Sequence, residues 1–170
     1  PAGVTSIWTE LWGGGGGGGW PGYGGAGAWV SGLLGVQPGV RIVGDRFVFQ
    51  SEVLFPSGSA DLNPAGETEM AKLAEALLEL QGEIPDEINW VLRVDGHTDN
   101  VPVSATSRFA DNWELSSARA TSVVKFLIAQ GVPPQRLVAA GFGEYQPLDP
   151  ANTDEARARN RRIELKLTER

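Results

Sequence analysis

The residues able to do chemistry gather in two short stretches. His97-Thr98-Asp99-Asn100 follows directly on an alternating apolar run, and Asn112, Leu115, Ser116, Arg119, Ala120, Val123 and Leu127 recur at steps of three, four or one. That second spacing places seven residues on one stripe of a helix. The C-terminal half of the stripe is apolar and reads as core. Its N-terminal half is polar, and a guanidinium on an inward-facing stripe must be paired or must face a pocket. The start of the helix adds free backbone N–H groups and the positive end of a dipole, which favours an anion nearby. Asp99 lies just past the C-terminal end of a strand, where open α/β sheets place their ligands. If strand and helix pack side by side, Asp99 and Arg119 share one edge of the sheet. The pair can then simply bond to each other, as surface ion pairs commonly do. Alternatively the two stand apart and suit a zwitterion, Asp99 accepting from an ammonium and Arg119 forking a carboxylate.

The elements that must position these residues are readable from periodicity. Arg41-Ile42-Val43 and Arg46-Phe47-Val48-Phe49 flank Gly44-Asp45 and predict a hairpin, its second arm continuing through Val53-Leu54-Phe55 to Pro56. Asn63-Pro64 predicts a helix start, followed by Met70, Leu73, Ala74, Leu77 and Leu78 on one face and Glu67, Glu69, Lys72, Glu75 and Glu79 on the other, ending near Gly82. Ile88, Trp90, Leu92 and Val94 predict a strand with one apolar face, left at Gly96 by a loop that runs to Asp111. Asp111 and Glu114 have capping-box spacing at the start of the second helix, which Gly131 and Pro133 close. A short strand over 136–140, a Gly/Pro-rich loop over 141–150, a short helix over 153–159 and a last strand carrying Ile163, Leu165 and Leu167 complete the chain. The predicted class is α+β, an α/β two-layer sandwich: a mixed sheet with two main helices packed on one face.

Composition bounds the function. The chain has 170 residues, 14 Lys plus Arg, 21 Asp plus Glu, one His and no Cys. A net charge of −7 disfavours nucleic acid, which needs clustered cations. With no Cys and a single His, a Cys/His zinc site, a catalytic Cys and a disulfide framework are excluded. Residues 1–40 differ from the rest: they hold 15 of the 23 Gly, four Trp (Trp8, Trp12, Trp20, Trp29), the unbroken run Gly13–Gly19 and one charge, Glu10. They read as a leader or linker, with residues 41–170 as the domain. The apolar run Ala28–Val36 is interrupted by Ser31, Gly32 and Gly35 and falls far short of the ~20 residues of a membrane-spanning helix.

Asn112-Trp-Glu-Leu115-Ser116-Ser-Ala-Arg119-Ala120-Thr-Ser-Val123-Val-Lys-Phe-Leu127, Gly96-His97-Thr98-Asp99 and Asn160-Arg161-Arg162 resemble, in order, the signature of OmpA-like peptidoglycan-binding domains. Asn100-Val101-Pro102, Arg108-Phe109 and Asn112-Trp113-Glu114-Leu115-Ser116 are most similar to the flagellar motor stator B-subunit (MotB-like) branch. The resemblance covers roughly residues 40–169. It implies non-covalent anchoring to the bacterial cell wall in the periplasm, with the diaminopimelate of the peptidoglycan stem peptide as ligand and no cofactor. Asp99 would take the ligand ammonium and Arg119 its carboxylate, with Asn112, Thr98 and Leu115 lining the pocket and Arg161 bordering it. It also implies a homodimer. A stator subunit needs a transmembrane helix with a proton-carrying acid, and residues 1–40 hold neither. Such a segment would have been removed, or the protein is an anchoring relative that is not a motor.

Other residues carry plainer expectations. His97 reads as a loop hydrogen-bonding residue, Trp90 as core, and the rings of Phe142-Gly143-Glu144-Tyr145 as closing over the core edge. Trp113 is expected against the loop over 100–111, with stacking on a sugar as the alternative. Arg157, Arg159, Arg161 and Arg162 read as a solvated helix face. Two other functions compete. Asp95 and Asp99 could be the paired carboxylates of a cell-wall hydrolase, but two acids beside Arg119 would both stay ionised and leave no general acid. The domain could also be an engineered carrier that presents residues 1–40.

Overall fold

The computed structural model describes residues 40–43, 46–81 and 89–169. The Gly/Trp-rich segment up to residue 39, the Gly44-Asp45 turn, Gly82 and Ile88 lie outside the described residues.

Strands β1 (Val40–Val43) and β2 (Arg46–Gln50) pair antiparallel as the expected hairpin. The second arm then departs from expectation. Ser51–Leu54 is a helical turn, α1, rather than more strand. Its first N–H donates to the Arg161 carbonyl at 2.9 Å, a partner supplied by a distant part of the chain, and the turn buries Leu54 and Phe55 in the core. Helix α2 (Pro64–Gln81) starts as predicted, with Asn63 Oδ1 accepting from Gly66 N at 2.7 Å. Met70, Leu73, Ala74 and Leu77 are fully buried, while Leu78 is part-exposed at the rim.

Strand β3 (Trp90–His97) runs two residues past its expected end. Helix α3 (Asn112–Ala129) is capped by Asp111, whose Oδ1 accepts from Glu114 N at 2.8 Å. The returning arm of the box lands one residue early, Glu114 Oε2 accepting from Ala110 N at 2.8 Å. At the other end Gly131, with φ of 98°, donates to Ile128 O, and Val132 N reaches back to Leu127 O, closing the helix in a Schellman turn. A 3₁₀ turn, Pro134–Arg136, leads into β4 (Leu137–Gly141). Helix α4 (Asp154–Asn160) is capped by Thr153, and β5 (Arg162–Glu169) follows.

The five strands form one mixed sheet in the order β1-β2-β5-β3-β4, with β3 and β4 parallel and the other neighbours antiparallel. Phe47 and Phe49 of β2, Trp90, Leu92 and Val94 of β3, and Ile163 and Leu165 of β5 share one core with the buried residues of α2 and α3. Both main helices therefore cover the same face. At the end of the sheet nearest Asp99 this packing is closer than side chains allow. Gly96 and Gly141 are partners across β3 and β4, and a Cβ on Gly96 would stand 2.2 Å from the Ser116 carbonyl oxygen. One on Gly141 would stand 2.1 Å from Ser117 Oγ and 2.6 Å from its N. Two facing glycines thus let the first turns of α3 rest directly on sheet backbone.

The opposite face of the sheet carries a second buried layer, and this one is charged. Arg162 and Glu164 of β5 and Asp95 and His97 of β3 are buried there, under the loop that follows β4. Glu164 accepts from Arg162 Nε at 2.6 Å and from Arg46 Nη1 at 2.7 Å. Phe142 stacks on His97 with ring centres 5.1 Å apart. His97 is thus a strand residue rather than a loop hydrogen-bonding residue, and neither ring nitrogen has a hydrogen-bond partner among the described residues. Burial, with the Arg162 charge adding to it and Glu164 opposing, lowers its pKa from 6.5 to about 4. Between those values the unfolded chain binds a proton that the folded chain refuses. His97's contribution to stability is therefore complete above pH 6.5 and lost as pH falls through about 4, at most about 3 kcal/mol. The neighbouring Glu164, Asp95, Arg162, Arg46 and Arg93 charges superimpose their own trends. The difference between the wild type and His97→Phe in urea unfolding from pH 7.5 to 4 isolates the imidazole. Parallel stability curves would refute this assignment.

Candidate functional site

The β3–α3 juxtaposition carries Thr98, Asp99, Asn112, Leu115 and Arg119 to one end of the sheet, all of them buried. Arg161, at the end of α4, reaches the same place. Its Nη1 donates to Asp99 Oδ2 at 2.6 Å, and its Nε to Glu52 of α1. Asp99 Oδ1 accepts from Val101 N at 3.0 Å, which pins the carboxylate to its own loop. Arg119 is held differently: its Nε donates to the Ser59 carbonyl at 2.8 Å and its guanidinium lies over the Phe55 ring at 5.2 Å. Asp99 and Arg119 are only 8% and 4% exposed, and no ion pair joins them. Of the two arrangements open from the sequence, the two groups stand apart, and the partner that Asp99 takes is Arg161.

The charges of this cluster act on one another. Burial lowers the Arg119 pKa from its usual range, with Glu52 and Asp99 working against that and Arg161 adding to it. Burial also opposes the charged form of Arg161, but its bonds to Asp99 and Glu52 outweigh burial and raise it. No Arg119 Nη hydrogen bond is present among the described residues. The Oγ1 of Thr98 and the Oγ of Ser51 are buried without a partner among those residues.

Asn112 serves as a clamp. Its Nδ2 donates to the carbonyls of Asp99 (3.3 Å) and Val101 (3.0 Å) and to Glu144 Oε2 (2.6 Å), tying the β3 exit loop to the loop after β4. Arg108 braces the far rim by donating to both oxygens of Asp61, at 3.1 Å each. Sequence reasoning missed Glu52, Phe55, Ser59 and Glu144. Each belongs to a segment whose local pattern points elsewhere, and only the acidic residue in the Gly-hinged loop offered any signal.

Three expectations are corrected here. Trp113, expected against the loop over 100–111, has its ring stacked on Tyr145 of the loop after β4, ring centres 5.3 Å apart. The basic run is no single solvated face, since Arg162 is buried against Glu164 and Arg161 joins the Asp99 cluster, leaving Arg157 and Arg159 on Asp154 and Asp149. Asp95 lies on the face of the sheet away from the helices, bonded to Arg93 Nε at 2.7 Å, and burial raises its pKa above the ordinary aspartate value against the pull of Arg93.

This five-stranded mixed sheet with two helices on one face and a charged cluster at the β3–α3 junction defines a known class, and the chain belongs to the OmpA family, whose model matches residues 54–161. Among curated relatives, it is 36% identical over 119 residues to YtxE of Bacillus subtilis (strain 168), covering 69% of this chain and 46% of that protein. It is 32% identical over 115 residues to Motility protein B of Helicobacter pylori (strain J99), covering 68% of this chain and 42% of that protein. The chain therefore spans less than half the length of either. Among solved structures, a MotB-like protein from Desulfovibrio vulgaris superposes with a TM-score of 0.72 at 36% identity, covering 82% of this chain and 87% of that one. The cell wall anchor of the T6SS from Pseudomonas aeruginosa superposes with a TM-score of 0.63 at 31% identity, covering 77% and 87%.

Proposed function

We propose that this domain binds peptidoglycan non-covalently through the diaminopimelate of the stem peptide, and so anchors a protein or complex to the cell wall on the periplasmic side of the envelope. The observation that carries this reading is the separation of Asp99 from Arg119. A buried carboxylate and a buried guanidinium sit on neighbouring elements, each fixed by other groups, without neutralising each other. The free end of diaminopimelate carries an ammonium and a carboxylate on one carbon, and complements that arrangement: the ammonium to Asp99, the carboxylate to the Nη groups of Arg119. Arg161 shares Asp99 and holds its carboxylate in place. Thr98 offers an unpartnered hydroxyl, Asn112 fixes the loop, and Leu115 supplies an apolar wall. The relative described as a cell wall anchor supports the same reading.

The role is binding rather than catalysis. Asp95 and Asp99 are each engaged by a guanidinium, and Asp95 belongs to the other face of the sheet. The test is sedimentation with purified diaminopimelate-type peptidoglycan. Wild type is expected to co-sediment, and folded Asp99→Ala and Arg119→Ala each to lose about 2 kcal/mol or more, roughly thirtyfold in affinity, the cost of unpairing a desolvated charge contact. A wild type that stays in solution would overturn the proposal.

A further inference from the structure

Beside the charged cluster stands a feature the zwitterion reading does not use. Trp113 and Tyr145 are 46% and 64% exposed, yet they are not loose: the rings stack at 5.3 Å with 26° between their planes. They stand on Gly143, where a Cβ would lie 3.4 Å from Tyr145 Cδ2 and 3.6 Å from Trp113 Cδ2. Gly143 is in turn fixed on both sides, its N donating to Ser116 Oγ at 3.0 Å and its carbonyl accepting from Thr98 N at 2.9 Å. The residues next to the rings, Asn112 and Glu144, bond to each other. The aromatic pair is therefore rigidly registered to the Thr98-Asp99 segment, one residue from the groups proposed to hold the peptide.

Resting on that proposal, we infer that Trp113 and Tyr145 form a second subsite that stacks on the pyranose face of an N-acetylhexosamine of the glycan strand. The stem peptide is covalently joined to such a sugar, so a domain that grips the peptide meets the sugar within a few residues' reach. A pyranose presents a flat face of C–H bonds bordered by hydroxyls, and the outer face of one ring, backed and held by the other, offers an apolar surface of matching size at little cost in side-chain entropy. Two rings are too little area for a stable protein–protein contact, which needs about 800 Å² from each partner.

Calorimetry with two probes tests this. One is the tripeptide L-Ala-γ-D-Glu-meso-diaminopimelate; the other is the same peptide carried on its N-acetylglucosaminyl-N-acetylmuramyl disaccharide. Wild type is expected to bind the glycosylated probe roughly tenfold more tightly. Trp113→Ala and Tyr145→Ala should bind the bare peptide as wild type does and lose the increment. No increment in wild type, or equal weakening for both probes in the variants, overturns the subsite while leaving peptide recognition standing. If only the glycosylated probe binds, and the variants abolish it, the subsite stands and the diaminopimelate reading falls. A dimer that light scattering shows to dissociate in Trp113→Ala would assign the rings to a second copy of the chain and overturn the sugar assignment.

Discussion

Gly96→Ala should cost about 3 kcal/mol or more and leave much of the protein unfolded at 37 °C. The added methyl would sit 2.2 Å from the Ser116 carbonyl oxygen and 2.9 Å from its carbon. Those atoms belong to the helix backbone, so no rotamer change relieves the contact, and α3 must lift off the sheet. Lifting α3 also moves Asn112 and Arg119 away from Thr98 and Asp99, so any folded fraction should bind ligand poorly. Gly141→Ala should behave alike, because its methyl meets Ser117 N at 2.6 Å. Urea unfolding measures both variants. Midpoints within experimental scatter of wild type would show that α3 does not rest on the sheet in this way.

The second large effect concerns the buried charges under the loop after β4. Glu164→Ala should cost 3–5 kcal/mol, roughly, since removing one member of a buried ionic group strands the rest. Arg162 would keep its carbonyl acceptors on Asn160 and Gln146 but lose its counter-charge, because Asp95 is already engaged by Arg93. Burial alone would push Glu164 upward, yet the bonds from Arg46 and Arg162 win and hold it below the usual carboxylate range. Its contribution is thus present above the ordinary glutamate pKa and lost as pH falls through the depressed value. Replacing both partners, Arg162→Met with Glu164→Leu, should by contrast be near neutral or even stabilising. If the single and the double variant unfold at the same denaturant concentration, the charges are not acting as one buried group.

How far the sequence reached can be judged from these same residues. The stripe read along α3 coincides with the residues that the helix buries, Asn112, Leu115, Ser116, Arg119, Ala120, Val123 and Leu127. Helical spacing is a local property, so Arg119 announced itself. The charged layer around Glu164 did not. Alternation puts Glu164 and Asp95 on the polar side of their strands, His97 reads as loop and Arg162 as a solvated helix face, and nothing local shows that Phe142 and the loop around it will cover all four. The helical turn Ser51–Leu54 was hidden for a related reason. Val-Leu-Phe is β-prone, and the Arg161 carbonyl that ends the strand there lies more than a hundred residues away. The claim of Arg161 on Asp99, 62 residues apart, is likewise a fact of topology that no spacing rule contains.

The place of β5 in the sheet bears on how the molecule is made. The last strand in chain order lies between β2 and β3, so two of the four strand pairings wait for it. Until residues 162–169 pair, the sheet consists only of the β1–β2 hairpin and the β3–β4 pair, two fragments with open edges. Arg46 must find Lys166, and Trp90 must find Glu169, contacts of long range whose loop-closure cost is met before any packing rewards it. Folding should accordingly be slow and all-or-none, completed only after synthesis of the final strand. A sheet whose central strand follows both of its neighbours in chain order cannot close piecemeal: its two halves become one only when β5 inserts between them.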